Sequence, residues 1–436
     1  MADRTRRRVV ACVGTALGAS LAGCSALPFG DREPTIAGDD LAAIASEPTP
    51  SIPDRLPVDI DPSYLGSVAD TVRERLDTVP APLDASHVPN GAMRADLAHA
   101  RAHATEALAA ADDAPTPWER ADRLRRARGR AGYLAGGWAA VDDDRTIPDV
   151  RGDAERLRED LADFRRAWAY VGADPIDSVV VHHAIGDLLR GCIADLNDVL
   201  SARERASTTA LDVAEADEAL AGARGALRDA DHLFGRLADA DGVRDRRETF
   251  ASAAATLAAR VDERRRAVVS TETATGDART GPPAVYALAE LRERFEYADD
   301  VGEARRTGAF PRAILAAHDE LATIGAVERL RERVDAGEVI DPESAEDVRA
   351  IRSDAREALV EARRESAYPT LDRRRLHELA AGFAYVDDSL GRYDADDEIE
   401  IARLRRELAR YVSIGATARA VGDASASVAD VFDATG

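Results

Sequence analysis

The sequence predicts an all-α protein built from antiparallel helical bundles, and three observations support this fold class. Apolar residues recur at steps of three and four over long stretches, which places them on one face of a helix. The chain has no convincing run of alternating β-branched residues. Hydrophobic residues make up 45% of the chain and aromatic residues only 5%, so much of the apolar content is alanine, whose small side chain lets neighbouring helices approach closely.

Three apolar seams mark the clearest helices in the first half of the chain. They run from Leu65 to Val79, from Val150 to Val171 and from Val181 to Val199. Their members are Leu65, Val68, Val72, Leu76 and Val79; Val150, Ala154, Leu157, Leu161, Phe164, Trp168 and Val171; and Val181, Ile185, Leu188, Cys192, Leu196 and Val199. This spacing predicts one buried face on each helix.

Proline and capping residues indicate where the helices begin and end. Pro115 and Pro117 separate two predicted helices, and Pro148 and Pro175 separate the next ones. Proline fits the first turn of a helix but not its interior. The triplet Asp341-Pro342-Glu343 is typical of a cap followed by proline at the first helical position, so it predicts a helix start.

Changes in composition predict five segments. Seven prolines between Ser25 and Pro62 hold that stretch extended, and the polar stretch from Ser270 to Pro283 is the predicted boundary between bundles. The segments are a signal peptide (1–23), a lipidated cysteine with a disordered, proline-rich tether (24–62), a helical bundle domain (63–270), a linker or long loop (271–283) and a second helical bundle region (284–436).

A faint internal repeat raises the possibility of two related bundles. "LAGGWAAVDD" (Leu134 to Asp143) matches "LAAGFAYVDD" (Leu379 to Asp388) at seven of ten positions. Similar helical segments flank both copies, so a three-helix unit near residues 91–171 would recur near 345–419. Sequence rich in alanine, arginine and aspartate also produces such matches by chance, so duplication and coincidence both stay open.

The first 24 residues have the order of an export signal. Arg6, Arg7 and Arg8 precede fourteen uncharged residues, from Val9 to Ala22. A helix needs about 20 apolar residues to cross a hydrocarbon core of about 30 Å. This stretch therefore predicts a signal peptide rather than a permanent span.

Two motifs in this region resemble those of lipoprotein precursors exported by the twin-arginine route. Thr5 to Val10, with the pair Arg6 and Arg7, resembles the twin-arginine motif, and Leu21-Ala22-Gly23-Cys24 resembles a lipobox. The resemblance implies cleavage before Cys24, lipid on that cysteine and attachment to the outer face of the cytoplasmic membrane. The alternative is an ordinary N-terminal helix with a chance LAGC sequence.

The charge of the chain is strongly acidic. It has 81 acidic and 58 basic residues, a formal net charge of −23, and all 58 basic residues are arginine. Acidic excess without lysine resembles proteins of extremely halophilic archaea. In molar salt the Debye length falls to about 3 Å, which screens the repulsion between carboxylates. The same balance argues against nucleic acid as a partner, because binding to phosphates depends on clustered cations.

Four candidate metal ligands share one predicted helix face. Asp96, His99, His103 and Glu106 follow one another at steps of three, four and three. Two histidines one turn apart can chelate a divalent ion, with carboxylates completing the shell. The simpler interpretation is a solvated helix face in a chain that is rich in acids.

His182, His183 and Cys192 are weaker candidates. Neighbouring helical residues point about 100° apart, so the two imidazoles cannot both face one ion from the same direction. The spacing places His182 at the edge of the apolar face and His183 on the polar face with Asp187. Cys192 lies on the apolar seam about 14 Å along the helix, which is too far for a Cys–His nucleophile.

Acidic turns recur along the chain, at Asp142 to Asp144, at Asp387-Asp388 and at Asp394 to Glu398. They lack the glycine and the ligand spacing of a calcium-binding loop. The sequence therefore predicts that they are solvated connections between helices.

These patterns predict no catalytic residue and no cofactor. The leading hypothesis is a non-enzymatic, lipid-anchored cell-surface protein with an interaction or scaffolding role, held to the membrane by Cys24 and contacting protein partners of the envelope. The alternative is a solute- or ligand-binding lipoprotein partnered with a membrane transporter. A metal-dependent hydrolase centred on His99 and His103 is a third class. A deep pocket with converging polar groups would favour ligand binding, and an exposed apolar stripe would favour scaffolding.

Overall fold

The computed structural model describes residues 34–203, 209–270, 281–297 and 300–435. These residues form fourteen helices and four short strands, so the predicted all-α class is confirmed. The helices are α1 (Gly38–Ala45), α2 (Pro62–Asp77), α3 (Gly91–Asp112), α4 (Pro117–Asp142), α5 (Ile147–Ala167), α6 (Pro175–Ser201), α7 (Ala210–Ala238), α8 (Arg247–Ser270), α9 (Pro283–Tyr297), α10 (Asp300–Arg306), α11 (Phe310–Asp335), α12 (Ala345–Arg364), α13 (Pro369–Leu390) and α14 (Ile401–Thr435). The strands β1 (Thr35–Ala37) and β4 (Glu398–Glu400) form one antiparallel pair, and β2 (Val171–Gly172) and β3 (Arg244–Asp245) form another.

A first group of helices is arranged around α7. Both α4 and α6 pack along α7, α3 packs along α4, and α5 contacts α6 and α7. Small residues allow α4 and α7 to approach closely: a Cβ atom added to Gly132 would lie 2.6 Å from Cβ of Ala221. The close helix contacts that the alanine-rich composition predicts are therefore present here.

A second group is arranged around α11 and α14. Helices α8, α9, α12 and α13 all contact α14, and α8 and α10 also contact α11. Because α8 packs with this group, the division of the chain falls before α8 and not in the linker predicted at 271–283. Residues 271–280 of that linker lie outside the described residues. The two groups meet where α6 packs against α11 and α13.

The described part of the predicted tether belongs to the folded body, which corrects the expected boundary at residue 62. Ile36 of β1 lies opposite Ile399 of β4. Six apolar side chains of this stretch are buried: Ile36, Leu41, Ile44, Ile52, Leu56 and Ile60. The prediction of an extended chain is wrong between Pro34 and Pro48, where α1 forms, and no helix or strand forms from Pro48 to Asp61. The apolar side chains lie between the prolines and pack into the core. Residues 24–33 of the predicted tether lie outside the described residues.

Residues 46–61, which we call the strap, cross both helix groups. Arg356 and Arg363 of α12 donate hydrogen bonds to the carbonyls of Pro48 (3.1 Å) and Ser51 (2.9 Å). At the other end, Arg236 of α7 donates to the carbonyl of Asp59 at 3.0 Å. An extended segment has no helical partners for its carbonyls, so arginine side chains supply the donors.

The predicted apolar seams are buried except for Trp168 and Val171, which are half-buried, and two helix ends differ from the prediction. Helix α5 ends at Ala167, one turn before the predicted seam ends, because the backbone leaves the helix at Trp168 and continues into β2. Helix α12 begins at Ala345, after the predicted start at Asp341-Pro342-Glu343. Ser344 is its cap, since the Ser344 side chain accepts a hydrogen bond from the Asp347 amide at 3.3 Å.

The main hydrophobic core is continuous across the two groups of helices. It includes Leu41 of α1, Leu97 of α3, Ile185 of α6, Leu321 of α11 and Phe383 of α13. A smaller core lies between α9, α11 and α14. None of the helices in the described ranges is both long and apolar enough to span a membrane.

Candidate functional site

A groove with a volume of about 1030 Å³ lies between α4 and α6. Both helices pack on α7 but do not pack closely on each other, so α7 forms the floor of the space between them. Residues 183 to 195 of α6 line one wall, which corresponds to about 18 Å at the rise of an α-helix. A groove of this size accommodates a small organic molecule.

Small residues create the depth of the groove. Ala219, Gly222 and Ala226 of α7 lie at steps of three and four along the floor, and Gly191 of α6 lines the wall. A Cβ atom added to Gly191 would meet no atom within 4 Å, so this glycine borders open space. Larger side chains at these positions would fill the groove.

The strap and the second helix group close one end of the groove, which we call the strap end. Asp54 and Leu56 of the strap, Trp118 of α4, and Arg374 and Glu378 of α13 line it. The Trp118 indole donates a hydrogen bond to Asp54 Oδ2 at 2.8 Å, and Arg374 donates to Glu378 Oε1 at 2.8 Å. This end of the groove therefore forms only when the chain is fully folded, because three distant parts of the chain contribute to it.

Two buried nitrogen atoms at the strap end have no hydrogen-bond partner among the described residues. They are Nδ1 of His183 and Nε of Arg374. Burial lowers the pKa of His183 to about 4, and the attraction of Asp187 does not reverse this shift. His183 is thus neutral at neutral pH, and Nε2 lies 3.5 Å from Asp187 Oδ2. Buried polar atoms without partners lower the stability of a protein, so each one needs an explanation, and a functional role is one of them.

The opposite end of the groove, which we call the acidic end, carries Asp195 and Glu218. Burial raises the pKa of Asp195, and the nearby carboxylates of Asp198 and Glu218 raise it further. Glu218 lies 3.2 Å from Arg130. No hydrogen-bond or ion-pair partner for the Asp195 carboxylate lies within the described residues. This end of the groove is therefore negative in charge.

The structure does not bring the four predicted metal ligands together around an ion. Asp96, His99, His103 and Glu106 are all exposed on α3, and the contact between His103 Nδ1 and Glu106 Oε2 is 3.8 Å long. The described part of the chain contains no group of three histidine, cysteine, aspartate or glutamate residues placed to hold a metal. The helix period places them on one face, but that face points to solvent, and only His103 and Glu106 reach the rim of the groove.

His182 is fully inside the core, not at the edge of the apolar face as predicted. Trp168 donates its indole N–H to His182 Nδ1 at 3.0 Å, and His182 Nε2 lies 2.9 Å from the Val171 carbonyl. Burial lowers the pKa of His182 to about 4. The neutral ring satisfies both partners, so His182 holds β2 against α6.

Cys192 is buried on the apolar seam, in agreement with the prediction. Burial raises the pKa of its thiol to about 12. The export-signal residues Arg6 and Arg7, the lipobox residues Leu21, Ala22 and Gly23, and Cys24 lie outside the described residues.

One predicted acidic turn is part of the core instead of a solvated connection. Asp387 is buried near the end of α13 and accepts hydrogen bonds from Arg352 at 2.8 and 2.9 Å and from Thr49 at 2.8 Å. The Tyr411 hydroxyl also donates to it. The pair formed by Asp387 and the buried Arg352 joins α12 to α13 beneath the strap.

Comparison with known proteins divides the chain at the same place as the packing of α8. Two sequence families match it. Residues 63–242 match a Domain of unknown function (DUF8262), and residues 247–430 match a Domain of unknown function (DUF8264). Two adjacent domains fit a duplication. No curated protein and no solved structure matches the chain.

The groove lies mainly in the region that matches DUF8262. Helices α3, α4, α6 and α7 supply most of its lining, while Arg374 and Glu378 come from the region that matches DUF8264. Sequence reasoning missed both Asp195 and Arg374. The small residues at steps of three and four in α7 were an available signal, but the same spacing also describes ordinary close helix packing.

Proposed function

We propose that this chain is a lipid-anchored binding protein of the cell surface that holds a small organic ligand in the groove between α4 and α6. The main observation behind this proposal is the groove of about 1030 Å³, which has polar groups at both ends and a floor of small residues. Lipid on Cys24 would hold this body at the outer face of the cytoplasmic membrane, as the resemblance to lipoprotein precursors implies. Delivery of the ligand to a membrane transporter is consistent with that position.

The lining of the groove supports binding more than it supports catalysis. Gly191, Ala219 and Gly222 offer shape but no reactive group. The one described cysteine, Cys192, is buried with a thiol pKa of about 12, so its nucleophilic thiolate is not available at neutral pH. His183 is neutral at neutral pH, and its Nε2 lies 3.5 Å from Asp187 Oδ2.

The scaffolding hypothesis has less support from the described surface. The large apolar residues that are exposed there are Val269, Ile340, Val360 and Tyr385. They lie on four different segments, namely α8, the loop before α12, α12 and α13. A protein-docking surface usually presents a contiguous apolar patch.

Two glycine substitutions test the groove. Gly191→Phe places a large side chain in the groove, whereas Gly152→Phe places the same side chain on α5, where an added Cβ also meets no atom within 4 Å. Each purified variant is incubated with a small-molecule extract of the source cells at high salt, washed and analysed by mass spectrometry for retained compounds.

We expect wild type and Gly152→Phe to retain the same compound and Gly191→Phe to lose it. Circular dichroism and thermal unfolding of both variants report whether they fold. Equal retention by two folded variants, or no retained compound with the wild type, would contradict the proposed function.

A further inference from the structure

We infer that the groove is selective for organic cations, with an ammonium or guanidinium group bound by Asp195 at the acidic end and an apolar body lying along α6 and α7. This inference rests on the proposed function and adds the chemical class of the ligand. It depends on the pairing of the acids in the groove, on the local geometry at Asp195 and on the small apolar residues between the two ends.

Asp195 differs from the other half-buried acids of the groove because, among the described residues, its carboxylate has neither an ion pair nor a hydrogen bond. Glu218 Oε1 lies 3.2 Å from Arg130, and Asp122 pairs with Arg125 at 3.0 Å. Asp54 has no ion pair either, but its Oδ2 accepts a hydrogen bond from the Trp118 indole at 2.8 Å. Within the described residues, the side-chain carboxylate of Asp195 takes part in no ion pair or hydrogen bond. A carboxylate that is partly removed from water without a partner is destabilising, and a bound cation would offset that cost.

The geometry directs this carboxylate towards the floor of the groove. Oδ2 of Asp195 lies 2.8 Å from the position that a Cβ atom of Gly222 would occupy. A larger residue at position 222 would therefore require the Asp195 carboxylate to move. The carboxylate of Glu218 is close enough to disfavour the charge of Asp195, so a cation placed here would interact favourably with both acids.

The surroundings favour an organic cation over a metal ion. The described residues include no group of three side chains placed to hold a metal ion, and the carboxylates of Asp195 and Glu218 alone do not complete a coordination shell. From Asp195 towards the strap end, the lining continues through Gly191, Leu188 and Ala184 of α6. This apolar strip provides a surface for a hydrocarbon body attached to the cationic group.

Three probes with one hydrocarbon body and different head groups test the inference: hexylammonium, hexanoate and hexanol. Binding of each to the full folded protein is measured by isothermal titration calorimetry and ligand-detected NMR at fixed high salt. The variant Asp195→Asn removes the charge. Its matched control is Asp198→Asn, which changes the next acid on α6, an exposed residue outside the groove lining.

We expect wild type to prefer hexylammonium, and Asp195→Asn to weaken that binding by at least about tenfold, because a charge-assisted contact is lost. Asp198→Asn should bind hexylammonium within about twofold of wild type, because Asp198 does not contact the groove. Asp195→Asn should be at least as stable as wild type, because it removes repulsion from Asp198 and Glu218. A lower stability would indicate a structural role instead.

The outcomes separate this inference from the proposed function. If all three probes bind equally and Gly191→Phe abolishes their binding, the groove is a binding site and the cation preference is wrong. If hexylammonium does not bind while a compound from the cell extract binds in a manner sensitive to Gly191→Phe, the inference is overturned and the proposed function survives. Equal binding of hexylammonium by Asp195→Asn and wild type also overturns the inference.

Discussion

The end of α4 and the end of α13 have nearly the same sequence and opposite environments. "LAGGWAAVDD" from Leu134 and "LAAGFAYVDD" from Leu379 are identical at seven of ten positions. Asp142, the ninth residue of the first copy, is exposed, whereas Asp387, its counterpart, is buried. The aromatic residue is also more buried in the second copy, since Trp138 is half-buried and Phe383 is completely buried.

The difference comes from what covers each segment. The strap and α12 lie over the end of α13, so that Arg352, Thr49 and Tyr411 all donate hydrogen bonds to Asp387. The end of α4 has no such cover, and its acids face solvent. The local sequence therefore determines that both segments are helical, whereas segments distant in the chain determine which of their residues are buried.

The largest expected effect is at the matched aspartates. Asp387→Asn should lower the free energy of unfolding by about 3–5 kcal/mol, because it removes the buried carboxylate that pairs with the buried guanidinium of Arg352 and leaves only the partly exposed Glu47, 3.4 Å away, as its counter-charge. Asp142→Asn should change it by no more than about 0.5 kcal/mol, because Asp142 is exposed. Denaturant unfolding at fixed high salt measures both. If both variants change the free energy of unfolding by the same small amount, the two aspartates contribute equally to stability and this prediction is wrong.

A smaller effect is expected at the matched aromatic positions, where each residue is exchanged for its counterpart. Phe383→Trp should cost about 1–3 kcal/mol, because the ring is fully buried with its centroid 4.9 Å from that of Tyr411. Trp138→Phe should cost below about 1 kcal/mol, because Trp138 is partly exposed. Thermal unfolding of the two variants measures the difference. A Phe383→Trp variant as stable as wild type would mean that the α13 core has unused space.

The smallest effect is expected at the matched glycines, and its sign should differ between copies. A Cβ atom on Gly382 would lie 3.7 Å from Ile414, an ordinary contact, so Gly382→Ala should stabilise the protein by about 1 kcal/mol through helix propensity. A Cβ atom on Gly137 would lie 2.6 Å from Leu97 and 3.2 Å from Ala214. Gly137→Ala should therefore destabilise the protein by about 1 kcal/mol. Thermal unfolding shifts of the same sign would contradict this prediction.

Much of the fold could be predicted because helix periodicity is a local property. The seams from Leu65 to Val79 and from Val181 to Val199 are buried residue by residue. The prediction was less accurate where a distant contact overrides the local pattern. Trp168 continues the period of α5 but leaves the helix to bind His182. The strap has the prolines of a tether but packs through Ile52, Leu56 and Ile60.

The candidate site could be predicted only in part, for the same reason. His103 and Glu106 were singled out by spacing and do reach the groove rim, but the ion they were expected to hold has no set of ligands among the described residues. Arg374 reaches the groove from the other helix group. Among the described residues, the Asp195 carboxylate has no hydrogen-bond or ion-pair partner. That property depends on the positions of all neighbouring arginines, which spacing along one helix does not reveal.

The sequence by itself determined the helices, their buried faces and the small residues that allow close packing, because each depends on residues three or four positions apart. It also contains the export and lipidation motifs from which we propose a location at the outer face of the cytoplasmic membrane. Only the tertiary structure decided which acids are buried, where the groove lies and which carboxylate in it has no partner within the described part of the chain. Those properties depend on pairs such as Thr49 and Asp387, which are 338 residues apart in the chain. Whether a residue is buried depends on the segments that pack over it, and those segments come from distant parts of the sequence.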